Sequence, residues 1–248
     1  MGMVRRKKKR SIGSKIRATI LLLLLFSAAA YFYCNNSLKH PVHKDYGVTI
    51  PEGFSSVGID VSHHQGKINW EHLVDTSFAS KSPDFVYLKV TEGMTHVDTQ
   101  WERNRAACLK LSIKHGAYHF FQPKKLPIPQ AEHFLTYYTP KGGDLPPVLD
   151  VETEGYSDED LIHKMTRWLE YVEEKTGMRP IIYTSYHFYK TKFGVKFPHH
   201  KFWIAAYSRK PRGLEVNTQI IHWQFTEKAQ LPGHRVLVDM NVSKVSFR

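Results

Sequence analysis

Asp150 and Glu152 stand two residues apart in the segment PPVLDVET. On an extended strand, side chains at i and i+2 face the same side, about 6.5 Å apart. A strand otherwise built of Val and Leu does not carry two carboxylates inward without compensation, because removing charge from water is costly. Three further acids hold comparable places: Asp60 in GIDVS, Glu92 in KVTEG and Asp239 in VLVDMN. Crowded carboxyls raise one another's pKa and keep a proton near neutral pH. Glycosidic bond cleavage needs that combination, one acid to protonate the leaving oxygen and one charge to steady an oxocarbenium-like centre. Clustered carboxylates also suit a hard cation. Asp60 or Glu92 taken alone reads equally well as a helix cap or an ion-pair partner.

Aromatic and amide side chains fall beside these acids. Tyr118 (GAYHF), Tyr183 (IIYTS), Trp203 (FWIAAYS), Trp223 and Gln224 (HWQFT) lie in or near strand ends. Ring faces pack on the apolar faces of pyranoses, and Gln224 or a tyrosine hydroxyl can hydrogen-bond a sugar substituent. Any one of them alone reads as barrel core.

These residues need strands that end at one mouth. VGIDVS, FVYLKVTEG, GAYHFFQ and PPVLDVET read as buried strands, separated by helical INWEHLVDT, TQWERNRAACLKLSI and PQAEHFLTYY. The next helix is the best defined, with Ser157 as cap, an acidic first turn, and Leu161, Met165, Trp168, Leu169 and Val172 at helical spacing. IIYTS, FWIAAYS, IIHWQFT and RVLVDMN follow with little helix between them. This order implies an α/β fold with a mostly parallel sheet, as a flattened, irregular, TIM-like βα-barrel whose last strands lack helices. An open doubly wound sheet is the alternative.

Other chemistries find little support. No GxGxxG or GxxxxGK[ST] loop follows a strand, no GxSxG elbow is present, and HExxH and paired-Cys motifs are missing. No metal and no cofactor is expected. Only Cys34 and Cys108 occur, too few for a disulfide scaffold.

The net charge of +12 is concentrated at the start, where residues 1–17 carry eight Lys or Arg and no acid. Residues 18–34 then form an uncharged apolar run, which makes the basic tail a cytoplasmic flank rather than a nucleic-acid arm. Two readings of the run stand. It is either a signal peptide cleaved after Ala28-Ala29-Ala30 or a retained single-pass anchor with Tyr31, Phe32 and Tyr33 at the interface. Both put the rest of the chain outside the cytoplasm, periplasmic or extracellular. Residues 35–53 read as a linker and 54–248 as the catalytic domain, expected to be monomeric.

The ordered set GIDVS, QGKINW, FVYLKVTEG, GAYHFF, LPPVLDVE, YTS, WIAAY, WQF and VDMN resembles glycoside hydrolase family 25, the Chalaropsis-type lysozymes, over about Val57 to Val242. The resemblance implies an N-acetylmuramidase cleaving the β-1,4 bond between N-acetylmuramic acid and N-acetylglucosamine in peptidoglycan. It also implies Glu152 as proton donor. Asp150 becomes its partner, a nucleophile or a stabiliser of an oxazolinium formed by the substrate's acetamido oxygen. Asp60, Glu92, Asp239 and Tyr118 match the family's remaining pocket residues, whereas His64 stands where an aromatic is expected. A catalytically silent glycan-binding protein on the same barrel, or a chitinase-like acetamido-sugar hydrolase, are the competing readings.

Overall fold

The computed structural model describes residues 23–28, 42–43, 46–75, 82–207 and 209–247. The chain divides into Met1–Pro41 and Val42–Arg248. In the first unit, residues 23–28 are helical, with Leu23, Leu24, Leu25 and Phe26 exposed. No helix among the described residues is long and apolar enough to cross a membrane. Most of the 18–34 run, together with the basic segment and Cys34, lies outside the described residues.

The second unit is built on eight strands: β1 (Ser56–Val61), β2 (Phe85–Glu92), β3 (His115–Phe120), β4 (Val148–Val151), β5 (Ile181–Ser185), β6 (Phe202–Ala205), β7 (Ile220–Gln230) and β8 (Leu237–Ser243). Their order is β1-β8-β7-β6-β5-β4-β3-β2, and β2 pairs back onto β1 to close a barrel. Helices α1 (Trp70–Val74), α2 (Trp101–Lys110), α3 (Pro127–Tyr137) and α4 (Asp158–Thr176) follow the first four strands. Only short helical turns, Tyr186–Phe188 and Tyr189–Phe193, follow β5. α4 begins where the Ser157 hydroxyl accepts from Asp160 N at 3.1 Å, and it ends at Gly177 in the left-handed region, φ 68°.

One expectation of the parallel sheet needs correcting at the end. β8 runs antiparallel to both β7 and β1. Residues 231–236 are too short for a parallel crossover, which takes roughly a dozen residues, so the chain turns back as a hairpin. Asp239 therefore sits near the beginning of its strand rather than the end. Reversed direction returns it to the same mouth, directly opposite Asp60.

Strand alternation sorts the side chains into two layers. Ile59, Val86, Leu88, Ala117, Leu149, Val151, Ile182, Ile204 and Met240 point outward to the helix-covered core. Phe85, Tyr87, Val148, Ile181, Tyr183 and Trp203 fill the barrel interior. Two glycines make room for those rings. A Cβ on Gly58 would lie 2.5 Å from the Phe85 ring, and one on Gly116 would lie 2.4 Å from Tyr87. The interior is thus packed below, and only the mouth stays open for polar groups.

Part of the segment expected as a linker belongs to the barrel unit. Tyr46 is buried and its carbonyl accepts from Gln230 N at 2.9 Å, while Val48 and Ile50 pack on the outer core. Without clear periodicity these few apolar residues carry no local signal; a tertiary contact with β7 orders them.

Candidate active site

The mouth of the barrel holds a pocket of about 300 Å³, lined by side chains from all eight strands. Asp60, Asp150, Glu152 and Asp239 all line the pocket, with Tyr118, Tyr183, Trp203 and Gln224. Eight of the ten residues selected from sequence therefore meet in one place.

The other two do not line it. Glu92 follows a register irregularity in β2 between Lys89 and Thr91 and stands beside the pocket, level with Phe120. Its carboxylate instead takes the Lys89 ammonium at 2.8 Å and the Gln122 amide at 3.2 Å. Burial works against its ionisation, but the bond and charge of Lys89 hold it below the usual carboxylate range. Trp223 is adjacent to Gln224, so alternation directs it to the opposite face. It packs in the outer core against Phe54 and Phe225, and its indole donates to Ala206 O at 2.9 Å.

Several residues join that sequence reasoning passed over. Lys89, buried on the same face of β2 as Tyr87, enters the pocket from the strand next to that of Asp60 and lies 4.9 Å over the Phe120 ring. Tyr207, Phe120, Gln65 and Glu227 also line it. Asn241 stands behind it. The Trp203 indole donates to Asn241 Oδ1 at 2.7 Å, which turns the Asn241 amide nitrogen toward Asp60 Oδ2, also at 2.7 Å. Gln224 is fixed the same way: hydroxyls of Tyr183 and Tyr207 both donate to its Oε1 at 2.7 Å, and its Nε2 donates to Asp60 Oδ2 at 3.0 Å. Two oriented amides thus converge on one carboxylate oxygen.

Electrostatics favour retained protons. Burial pushes Asp60 up to about 6, opposed by its two amide donors and aided by the Glu152 charge. Burial, then Asp60, Glu227 and Glu152, push Asp239 up to about 8. Asp150, on the floor, is raised well above the usual carboxylate range by burial and then by Glu152, with Lys89 opposing. Its Oδ1 is buried without a hydrogen-bond partner among the described residues. Glu152 stands exposed at the rim, yet the surrounding protein strips enough water to raise it too, against the Tyr183 hydroxyl and Lys89. Among the described residues, no three of His, Cys, Asp or Glu gather as a metal site.

The sequence profile of "Glycosyl hydrolases family 25" matches residues 59–234, which contain three of the four clustered acids. The chain belongs to this family. Among relatives, it is 34% identical over 201 residues to YegX of Escherichia coli K12, an uncharacterized protein, covering 80% of this chain and 73% of that one. The barrel is similar to a family 25 glycosyl hydrolase from Bacillus anthracis, with a TM-score of 0.71 and 28% identity over 79% of this chain and 92% of that one. It is also similar to the bacterial lysozyme of Streptomyces coelicolor, with a TM-score of 0.67 and 27% identity over 77% and 93% of the two chains. Within this family-25 barrel, His64 does line the pocket. The short turn His63–Gln65 positions it, with the Ser62 hydroxyl accepting from His64 N at 3.2 Å and Asp98 accepting from His63 N at 2.8 Å.

Proposed function

We propose that this family-25 glycosidase is a peptidoglycan N-acetylmuramidase in which Glu152 delivers the proton and Asp150 supports the charge that develops at the anomeric carbon. The observation that carries the reading is the gathering of Asp60, Asp150, Glu152 and Asp239 in one pocket beside Tyr118 and Trp203. Glu152 has the reach of a donor, because it stands at the rim and holds its proton above the usual carboxylate range. Asp150 lies deeper, on the face where a sugar's anomeric centre or its acetamido group would rest. Whether it bonds covalently to that carbon or orients the acetamido oxygen, burial disfavours the charge on Asp150 until positive charge develops beside it, so its ionisation stabilises the transition state more than the ground state. Asp60, clamped by Gln224 and Asn241, is suited to hold a substrate hydroxyl or amide in register.

The same proposal places the barrel outside the cytoplasm, where peptidoglycan is. The basic residues 1–17 followed by the uncharged run 18–34 support it, as an anchor or an export signal.

Full-length chain incubated with purified peptidoglycan is expected to release fragments with new reducing-end N-acetylmuramic acid, and Glu152→Gln to abolish the release. A folded wild-type chain that binds walls without cutting them would instead identify a glycan-binding protein, and cleavage of chitin in preference to walls a chitinase-like one.

A further inference from the structure

A second concavity, of about 460 Å³, opens beside the first and is as basic as the catalytic pocket is acidic. Lys190, Arg209, Lys210 and Arg212 line it, with His187, and no carboxylate does. Lys210 is neutralised by Glu215 at 2.6 Å. The other three, all exposed, have no carboxylate partner among the described residues. Tyr186 forms its wall: Lys190 lies 5.7 Å from that ring, and the Tyr186 hydroxyl donates to Arg212 O at 3.4 Å.

The groove is continuous with the catalytic pocket along two strands. Tyr183 and Trp203 line the pocket, and the residues two places further on the same faces of β5 and β6, Ser185 and Ala205, line the groove. That step is about 6.5 Å, comparable with one pyranose. Tyr207 lines the pocket and Arg209 the groove.

We infer that this groove receives the carboxylates of the peptide stem carried by a muramyl residue, and so sets which sugar sits on each side of the cut bond. The inference rests on the muramidase reading. A muramyl sugar differs from its neighbour by an anionic peptide on a short lactyl arm, and the acid-lined pocket offers that arm no free cation among the described residues, its Lys89 being paired with Glu92. Three cations without carboxylate partners in the adjacent groove attract it. The stem is drawn toward the β5–β6 side, and the opposite register would leave its carboxylates without these cations. Plain chitin, with no stem, gains nothing from the groove. The groove therefore distinguishes muramyl strands from other acetamido-sugar polymers by charge.

The test compares intact peptidoglycan with the same glycan strands stripped of peptides, using the full chain and the triple variant Lys190→Glu, Arg209→Glu, Arg212→Glu. Three exposed ion pairs are together worth about tenfold. Wild type is expected to show about tenfold higher kcat/KM on intact strands, shrinking with added salt, and the variant to lose that preference while cutting stripped strands as wild type does. Equal effects on both substrates, or none, overturn the inference. So does a preference that follows phosphate-bearing wall polymers on peptide-free strands. If wild type cuts neither substrate, the muramidase reading fails by itself. Binding of a fluorescent soluble muramyl peptide then decides the groove: about tenfold weaker binding in the variant supports it, and unchanged binding overturns it.

Discussion

Asp60 and Asp239 are directly opposed residues on the antiparallel pair β1 and β8, two carboxyls facing each other across the mouth of the barrel. Like groups in direct opposition destabilise a sheet when both ionise. Here burial and mutual repulsion keep a proton on at least one of them at neutral pH.

That arrangement costs stability as pH rises. In the unfolded chain Asp239 titrates near 3.8, in the folded chain at about 8, so between these values the folded state binds the extra proton and loses stability with each rise in pH. Asp239→Asn removes the slope. Its melting temperature should exceed that of wild type, by more at pH 8 than at pH 5, with about 2–4 °C for each kcal/mol recovered. Equal shifts at the two pH values would count against the opposed-carboxyl account.

Glu152→Gln should lower kcat by about 10²–10⁴-fold and Asp150→Asn by about 10²–10³-fold, each with little change in KM. Lys89 opposes the upward shift of both acids. Lys89→Met should therefore move the alkaline limb of the kcat/KM profile to higher pH, because Glu152 keeps its proton longer. A limb that stays in place would remove Lys89 from the electrostatics of the donor.

The Trp203 indole orients Asn241, and through it Asp60. Trp203→Phe leaves a buried amide oxygen without its donor, at a cost of about 1–3 kcal/mol. Activity should fall along with stability, and the Asn241→Ala change on top of it should add little. Full additivity of the two substitutions, measured as kcat/KM, would show that they do not act as one chain.

Gly58→Ala places a methyl group 2.5 Å from the Phe85 ring inside a closed barrel. Overpacking of this kind costs about 1–3 kcal/mol. Phe85→Leu should restore part of the loss in a thermal melt; absence of any rescue would mean the clash is relieved elsewhere.

His222 is buried among Phe85, Trp203 and Phe247, and burial holds its pKa down at about 3. An unfolded chain takes up this proton below about 6.5, so stability drains away as pH falls from there toward 3. His222→Phe should lose less of its melting temperature than wild type between pH 7 and pH 4.5. Parallel losses would assign acid sensitivity to other groups, of which His119, also held near 3 by burial, is the first to test.

Much of the site was legible because inward-pointing acids in apolar strands are chemically anomalous wherever the strands end. Asp60, Asp150 and Glu152 announce themselves in that way. Alternation alone would also have separated Trp223 from Gln224, since neighbours on a strand cannot share a face. Lys89 was open to the same reasoning as the acids, being a charge within FVYLKV on the parity of Tyr87. The place of Glu92 was not, because it is set by bonds from Lys89 and Gln122 that no local pattern marks. Asn241 and Tyr207 act through partners distant in sequence, and the packing of Tyr46 on β7 is likewise tertiary. The direction of β8 follows from the shortness of residues 231–236, a cue in the connection rather than in the strand.

The closing hairpin also sets the moment at which this protein becomes capable of chemistry. Until β8 is synthesised, β1 and β7 are open edges, Asp60 has no Asn241 to clamp it, and Asp239 is not yet opposite. A ribosome-bound chain lacking that strand is a folding intermediate with exposed edges and no assembled pocket. Hydrolytic competence and barrel closure thus arrive in a single late, long-range pairing event, and a growing chain carries no active enzyme ahead of it.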